Sequence, residues 1–259
     1  MNINFLCSLP RAGNTLLGSI INENKKIKLS PNSITLDIVY KLHELKNDDI
    51  FKNFPKHSSL DNLIKLSLQN YYKDWNCDLI IDRGPWGTPD NLYILKKIIN
   101  NPKFLILLRP LEECLASFAK IQIDNKNYTK NNINNYLLRL LRQDEVIGKN
   151  IWSINNLIKE NENYKIFYYD DLINNTDYFL QNLSLFLGFD IKKPKKLKQF
   201  SIDQIYYKDN YIDNLHKIRT DKIEKLNYVV EDYLNYDMIQ FIKYNNPISL
   251  KKLNETNNN

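Results

Sequence analysis

A chain of 259 residues is long enough for one large α/β domain or two small ones, with a sizeable core in either case. Contents of 43% hydrophobic and 25% charged residues exclude wholesale disorder, and no run approaches the roughly 20 apolar residues of a membrane span. The formal charge of +6 favours acidic ligands only weakly and gives no ground for expecting nucleic acid.

The first element is an apolar run from Ile3 to Leu9, bounded by Pro10, which reads as a buried strand. Gly13 follows, and Thr15–Ile21 reads as a helix start. Apolar residues at helical spacing mark helices over 34–46 (Ile34, Ile38, Leu42, Leu45) and 60–73 (Leu60, Ile64, Leu68). Leu79–Asp82 is a second buried strand ending in a Gly-Pro turn, and 89–100 is helical. Phe104–Leu108 is a third strand, with a helix over 110–122. A long helical stretch covers 131–160, with a break expected near Gly148. Ile166–Tyr169 is the fourth strand, and an amphipathic helix then runs through Leu187 and stops at Gly188. Beyond it come a Lys/Pro-rich surface connection at 191–198, a helix near 237–244 and an Asn-rich tail, 254–259, expected to be disordered. Buried strands alternating with helices imply a three-layer α/β fold, a central parallel sheet covered by helices on both faces, forming a single domain over 1–253. Cys7, Cys77 and Cys114 lie far apart with no CxxC pair and no neighbouring histidine, which excludes a disulfide scaffold and argues against a zinc site. With no leader-like N-terminus, a reducing cytoplasm is expected.

The informative residues are the scarce ones. The chain has 30 lysines and 38 asparagines but six arginines and six glycines. Arg11, Arg83, Arg109 and Arg219, with Gly13, Gly18, Gly84 and Gly87, fall in a few short segments. An arginine kept in so lysine-rich a chain points to a need for its planar bidentate fork. In open parallel sheets, ligands sit beyond the carboxyl ends of the strands. The loop after the first strand, Ser8-Leu9-Pro10-Arg11-Ala12-Gly13-Asn14-Thr15, suits an anion, because converging backbone N–H groups and the helix dipole both favour negative charge. It lacks the first glycine and the lysine of a nucleoside triphosphate P-loop; Asn14 stands where that lysine belongs. Arg109 ends the third strand and Ser117 lies about two turns into the next helix, so both can reach one phosphate if Pro110 tightens the turn.

Pro10-Arg11-x-Gly13-x-Thr15 near the start, with Leu108-Arg109-Pro110 and Ser117 downstream, resembles the sulfotransferase superfamily that uses 3′-phosphoadenosine 5′-phosphosulfate (PAPS). Tyr168-Tyr169-Asp170-Asp171-Leu172 and Phe186-Leu187-Gly188 resemble a later, mainly structural segment, so the likeness spans roughly residues 3–189. The loop is most similar to those of tyrosylprotein-type and bacterial or viral members. The resemblance implies a P-loop-type fold without metal, in which Pro10, Arg11, Ala12, Gly13, Asn14, Thr15 and Leu16 cradle the 5′-phosphosulfate, while Arg109 and Ser117 grip the 3′-phosphate. His216-Lys217-Ile218-Arg219-Thr220 resembles a late element of some bacterial and phage members, which adds Arg219 to the nucleotide site. Arg11 is expected to stabilise charge on the transferred group. Arg83 stands where tyrosylprotein-type enzymes carry a lysine loop on the leaving side of the sulfuryl group. Asp37 occupies the segment in which related enzymes present an acidic base, though a first-turn helix aspartate is equally well favoured by the dipole. His43 is the next candidate.

These implications give a transferase moving a sulfuryl group to a hydroxyl acceptor: a saccharide, peptide or small molecule. A nucleotide-dependent kinase, with Asp82 as a magnesium carboxylate, and a non-catalytic nucleotide- or glycan-binding module stay open beside it. Trp86 fits either a pocket or a core, and the Tyr-rich stretch 206–211 is a candidate acceptor wall.

Overall fold

The computed structural model describes residues 2–160, 162–207, 215–225 and 229–245. The tail at 254–259 and Tyr211 of the Tyr-rich stretch lie outside them. Five parallel strands form one sheet: β1 (Asn2–Ser8), β2 (Ile27–Leu29), β3 (Leu79–Arg83), β4 (Phe104–Leu108) and β5 (Tyr164–Tyr168), in the order β2-β3-β1-β4-β5. Phe5, Leu6 and Cys7, like all five residues of β4, are consecutively buried. Alternate side chains of a strand point to opposite faces, so both faces of the sheet are covered.

The helices that cover it are α1 (Asn14–Ile21), α2 (Ile34–Glu44), α3 (Asp49–Asn53), α4 (His57–Tyr71), α5 (Pro89–Ile98), α6 (Leu111–Asp124), α7 (Ile133–Leu140), α8 (Val146–Lys159), α9 (Tyr169–Asn174), α10 (Thr176–Leu187) and α11 (Tyr236–Asn245). No helix among the described residues is long and apolar enough to cross a membrane. Ser33 caps α2 by accepting from the Leu36 N–H at 2.9 Å, and Pro89 opens α5 at its first position. Gly188 ends α10 in the left-handed conformation at φ 75°.

The third strand matches its expected bounds, and the first, second and fourth differ by one or two residues at their ends. The edge strand β2 and the hairpin of β6 (Ser201–Ile202) with β7 (Ile205–Tyr206) were not expected. Three residues with a lysine in the middle, or two residues per strand, are too few for a periodic signal. The long helical stretch at 131–160 breaks between Leu140 and Val146 rather than at Gly148, which lies inside α8. A Cβ at Gly148 would stand 2.0 Å from the Arg142 carbonyl oxygen, so the glycine serves close packing against the preceding turn. Trp86 is fully buried and packs on Phe5 with ring centroids 5.0 Å apart, a core residue. Cys7, Cys77 and Cys114 are free thiols; burial pushes the Cys7 thiol up to about 11.

Candidate nucleotide site

The chain runs from β1 out to the β2 edge, returns through β3 and crosses to the opposite side of β1 with β4. That reversal places a crevice at the carboxyl ends of the central strands. Three of the six arginines stand there on three adjacent strands. Arg83 is the last residue of β3, Arg11 lies in the loop after β1, and Arg109 follows β4. All three line one cleft of about 500 Å³.

The β1–α1 loop is tight. Arg11 at φ 66° and Gly13 at φ 91° both adopt left-handed backbone, which costs a non-glycine residue roughly 1–3 kcal/mol. Glycine is needed at position 13 for space as well. An added Cβ would meet the Tyr169 ring at 2.6 Å, and Tyr169 is the buried floor beneath the loop. The Asn14 side-chain amide donates to the Leu9 carbonyl at 2.9 Å and closes the loop from within. In α1 the first helical bond runs from the Leu17 N–H to the Gly13 carbonyl. Among the described residues, the N–H groups of Gly13, Asn14, Thr15 and Leu16 therefore have no backbone acceptor. Four free donors at a helix start form an anion cradle.

The two distant motifs join at this loop. The Arg11 Nε donates to the Ser117 hydroxyl at 3.1 Å, and an Arg109 terminal nitrogen donates to the Arg11 carbonyl at 2.9 Å. Arg109 also donates from Nε to Glu113 at 2.9 Å, and its guanidinium lies 4.3 Å from the Tyr169 ring centroid. Lys225 donates to the other Glu113 oxygen at 2.8 Å. Burial would raise the Glu113 pKa, but hydrogen bonds from Lys225 and Arg109 outweigh it and hold the carboxyl below its ordinary value.

On the β3 side, Arg83 donates to the Pro31 carbonyl at 2.7 Å. Burial lowers its pKa, and its hydrogen bond with Tyr207 opposes that shift. Asp82, one residue earlier, is fully buried and turns away from the cleft. It accepts from Ser30 at 3.0 Å, Ser33 at 2.9 Å and the Thr35 hydroxyl, tying the β2–α2 connection to β3. Burial raises its pKa against the pull of these donors.

Pro10, Arg11, Gly13, Asn14, Thr15, Leu16, Arg83, Arg109, Ser117 and Arg219 all line the cleft. Ala12 is buried behind it. Asp37 stands exposed in the first turn of α2 and is absent from the lining, as is His43, whose ring packs edge-on against Tyr93. Lining residues not anticipated from the sequence include Asn32, Lys149, Asn150 and the floor residue Tyr169. Glu113 carried a usable signal, an acidic residue four positions after a strand-end arginine on a helix. No group of three or more His, Cys, Asp or Glu among the described residues is arranged to hold a metal ion.

No family model matches this sequence, and no curated protein matches it. Among solved structures, the fold is similar to a sulfotransferase domain from the curacin biosynthetic pathway, with a TM-score of 0.50, 20% identity and coverage of 74% of this chain and 75% of that one. It is also similar to mouse sulfotransferase SULT7A1 complexed with PAP, with a TM-score of 0.54, 13% identity and coverage of 94% and 82%. The chain has the three-layer α/β fold of these sulfotransferases.

Proposed function

We propose, from the fold shared with sulfotransferases, that the chain is a PAPS-dependent sulfotransferase acting on a hydroxyl-bearing acceptor. One observation carries the reading: Arg109 and Ser117 both bond to Arg11, so two motifs nearly a hundred residues apart form one arginine-lined, anion-binding cleft. The free N–H groups of residues 13–16 and the Arg11 guanidinium suit the 5′-phosphosulfate. Asn14 contributes its backbone N–H there, because its side chain closes the loop. Arg109 and Ser117 suit the 3′-phosphate, and Arg219, in the lining of the same cleft, adds to the nucleotide site. Arg83, desolvated and bonded to neutral groups, suits charge developing near the sulfuryl group in the transition state. A sulfuryl group carries less charge than a phosphoryl group, so arginines can cover it without a metal. The free thiols suit a reducing compartment such as the cytoplasm. The acceptor is a saccharide, a peptide or a small molecule.

Asp82 weighs against the kinase alternative, since its carboxylate faces three hydroxyls inside the fold and is not part of the cleft lining. The test is a thermal-shift comparison. PAP (3′-phosphoadenosine 5′-phosphate) with EDTA present is expected to raise the melting temperature. At a hundred times its Kd a ligand adds about 2.7 kcal/mol of stability. ATP with magnesium is expected to do clearly less, and equal stabilisation by ATP-magnesium overturns the reading. Turnover of radiolabelled PAPS separates an enzyme from a binding module.

A further inference from the structure

We propose that Lys149 reads a carboxylate on the acceptor, so that the substrate is a hydroxy acid with an apolar body; the proposal rests on the transferase reading above. Lys149 lines the cleft and is half-buried. Arg11 and Arg109 bond groups of the protein, and Arg83 donates to the Pro31 carbonyl. The Lys149 ammonium, by contrast, has no hydrogen bond or ion pair among the described residues. Lys217, Arg219 and Lys222 also line the cleft, but all three are exposed on the segment 215–225. Withdrawing a cation from water without a partner is unfavourable, and a bound anion removes that cost.

The fold sets this cation apart from the phosphate clamp. In α8, Ser153 donates to the Cys7 sulfur of β1 at 3.7 Å and accepts from the Gly87 N–H, in the turn after β3, at 2.9 Å. Asn156 donates to the Gly87 carbonyl at 2.9 Å. Lys149 precedes Ser153 by four residues, so it shares that helix face one turn closer to the helix start. It therefore stands over the carboxyl ends of β1 and β3, on the Arg83 side of the anion loop, whereas Arg109 and Ser117 stand on the β4 side. In a transfer of this kind the attacking and leaving oxygens lie in line, so the acceptor enters opposite the departing PAP. With PAP held toward β4, the acceptor side is the α8 side.

The rest of this wall is apolar or already satisfied. Val146 and the Tyr136 ring line it, and the Tyr136 phenol oxygen accepts from Gln122 at 3.0 Å. The Asn150 amide donates to the Val146 carbonyl at 2.8 Å. An apolar surface beside an ammonium fits a hydrocarbon body that ends in a carboxylate, which is ionised at neutral pH. A lysine on its flexible stem meets such a group as a point charge.

Matched acceptors test this: para-hydroxyphenylacetate against para-hydroxyphenylacetamide, and ω-hydroxydecanoate against ω-hydroxydecanamide, each followed with radiolabelled PAPS at neutral pH. Wild-type protein is expected to favour the acid of at least one pair by about ten- to a hundredfold in kcat/KM, the range for a hydrogen bond to a charged group. Lys149→Gln is expected to remove that preference by slowing the acid alone, and Lys149→Arg to keep most of it. PAP affinity is expected to stay within about twofold in both variants. Equal or better use of the amides by wild type, or sulfation of neither pair while label still passes to water, overturns the assignment and leaves the transferase reading intact. So does an equal loss with acid and amide in Lys149→Gln, or weakened PAP binding. If wild-type protein releases label to no acceptor, water included, the transferase reading itself falls.

Discussion

On the β4 flank of the cleft an arginine is paired with a carboxylate, whereas on the β3 flank, among the described residues, an arginine bonds to neutral groups. Arg109 is braced by Glu113, the Arg11 carbonyl and the Tyr169 ring, and Lys225 neutralises the remaining Glu113 oxygen. Arg83 has a carbonyl and a phenol as partners, while the acidic residue beside it in sequence, Asp82, is committed to three hydroxyls on the other side of the backbone. The difference separates two tasks. A braced fork keeps one geometry before the ligand arrives, which suits a permanent phosphate clamp. A half-buried cation bonded to neutral groups keeps its field for whatever charge develops before it.

The comparison breaks most visibly at Asp82. Asp82→Ala leaves the buried hydroxyls of Ser30 and Thr35 and the half-buried one of Ser33 without this acceptor, and about 3 kcal/mol of folding stability is expected to go, read by urea unfolding. A loss below about 1 kcal/mol shows that the hydroxyl net does not hold the β3 flank. The next effect is on ligand affinity. Arg109→Lys keeps the charge but loses the fork, so PAP is expected to weaken by about 1–3 kcal/mol by calorimetry. Adenosine 5′-phosphosulfate, which lacks the 3′-phosphate, is expected to change little. Equal weakening of both ligands removes Arg109 from the 3′-phosphate site.

The smallest effect sharpens the contrast through pH. Asp82 has a raised pKa, so the unfolded chain releases this proton first. Its contribution to stability therefore falls as pH rises from the ordinary carboxylate range toward the raised value. Glu113 has a lowered pKa, so its contribution is full above the ordinary carboxylate range and is lost as pH falls through the lowered value. Melting temperatures of Asp82→Asn and Glu113→Gln, each subtracted from wild type across pH, are expected to slope in opposite senses. Slopes of the same sign contradict the distinction between the flanks.

The regular skeleton was legible because its signals are local. Ile3–Leu9, Leu79–Asp82 and Phe104–Leu108 are apolar runs closed by proline or a Gly-Pro turn, and each became a strand of the sheet. Pro10–Thr15 announced a helix-start anion loop, and the rarity of arginine singled out Arg11, Arg83 and Arg109 before any geometry was known. The short strands β2, β6 and β7 were not legible, since pairing with neighbours rather than periodicity makes them strands.

Residue type, spacing and turn chemistry thus determined the fold class, the strand ends and the anion loop, because each depends on contacts within a few residues. Tertiary structure alone decided which groups share the cleft. Sheet order put three arginines on adjacent strands, turned Asp82 inward, left Asp37 exposed outside the lining and brought His216 back beside a loop some two hundred residues earlier. Convergence of that kind depends on crossovers and long-range packing, which no spacing along the chain encodes.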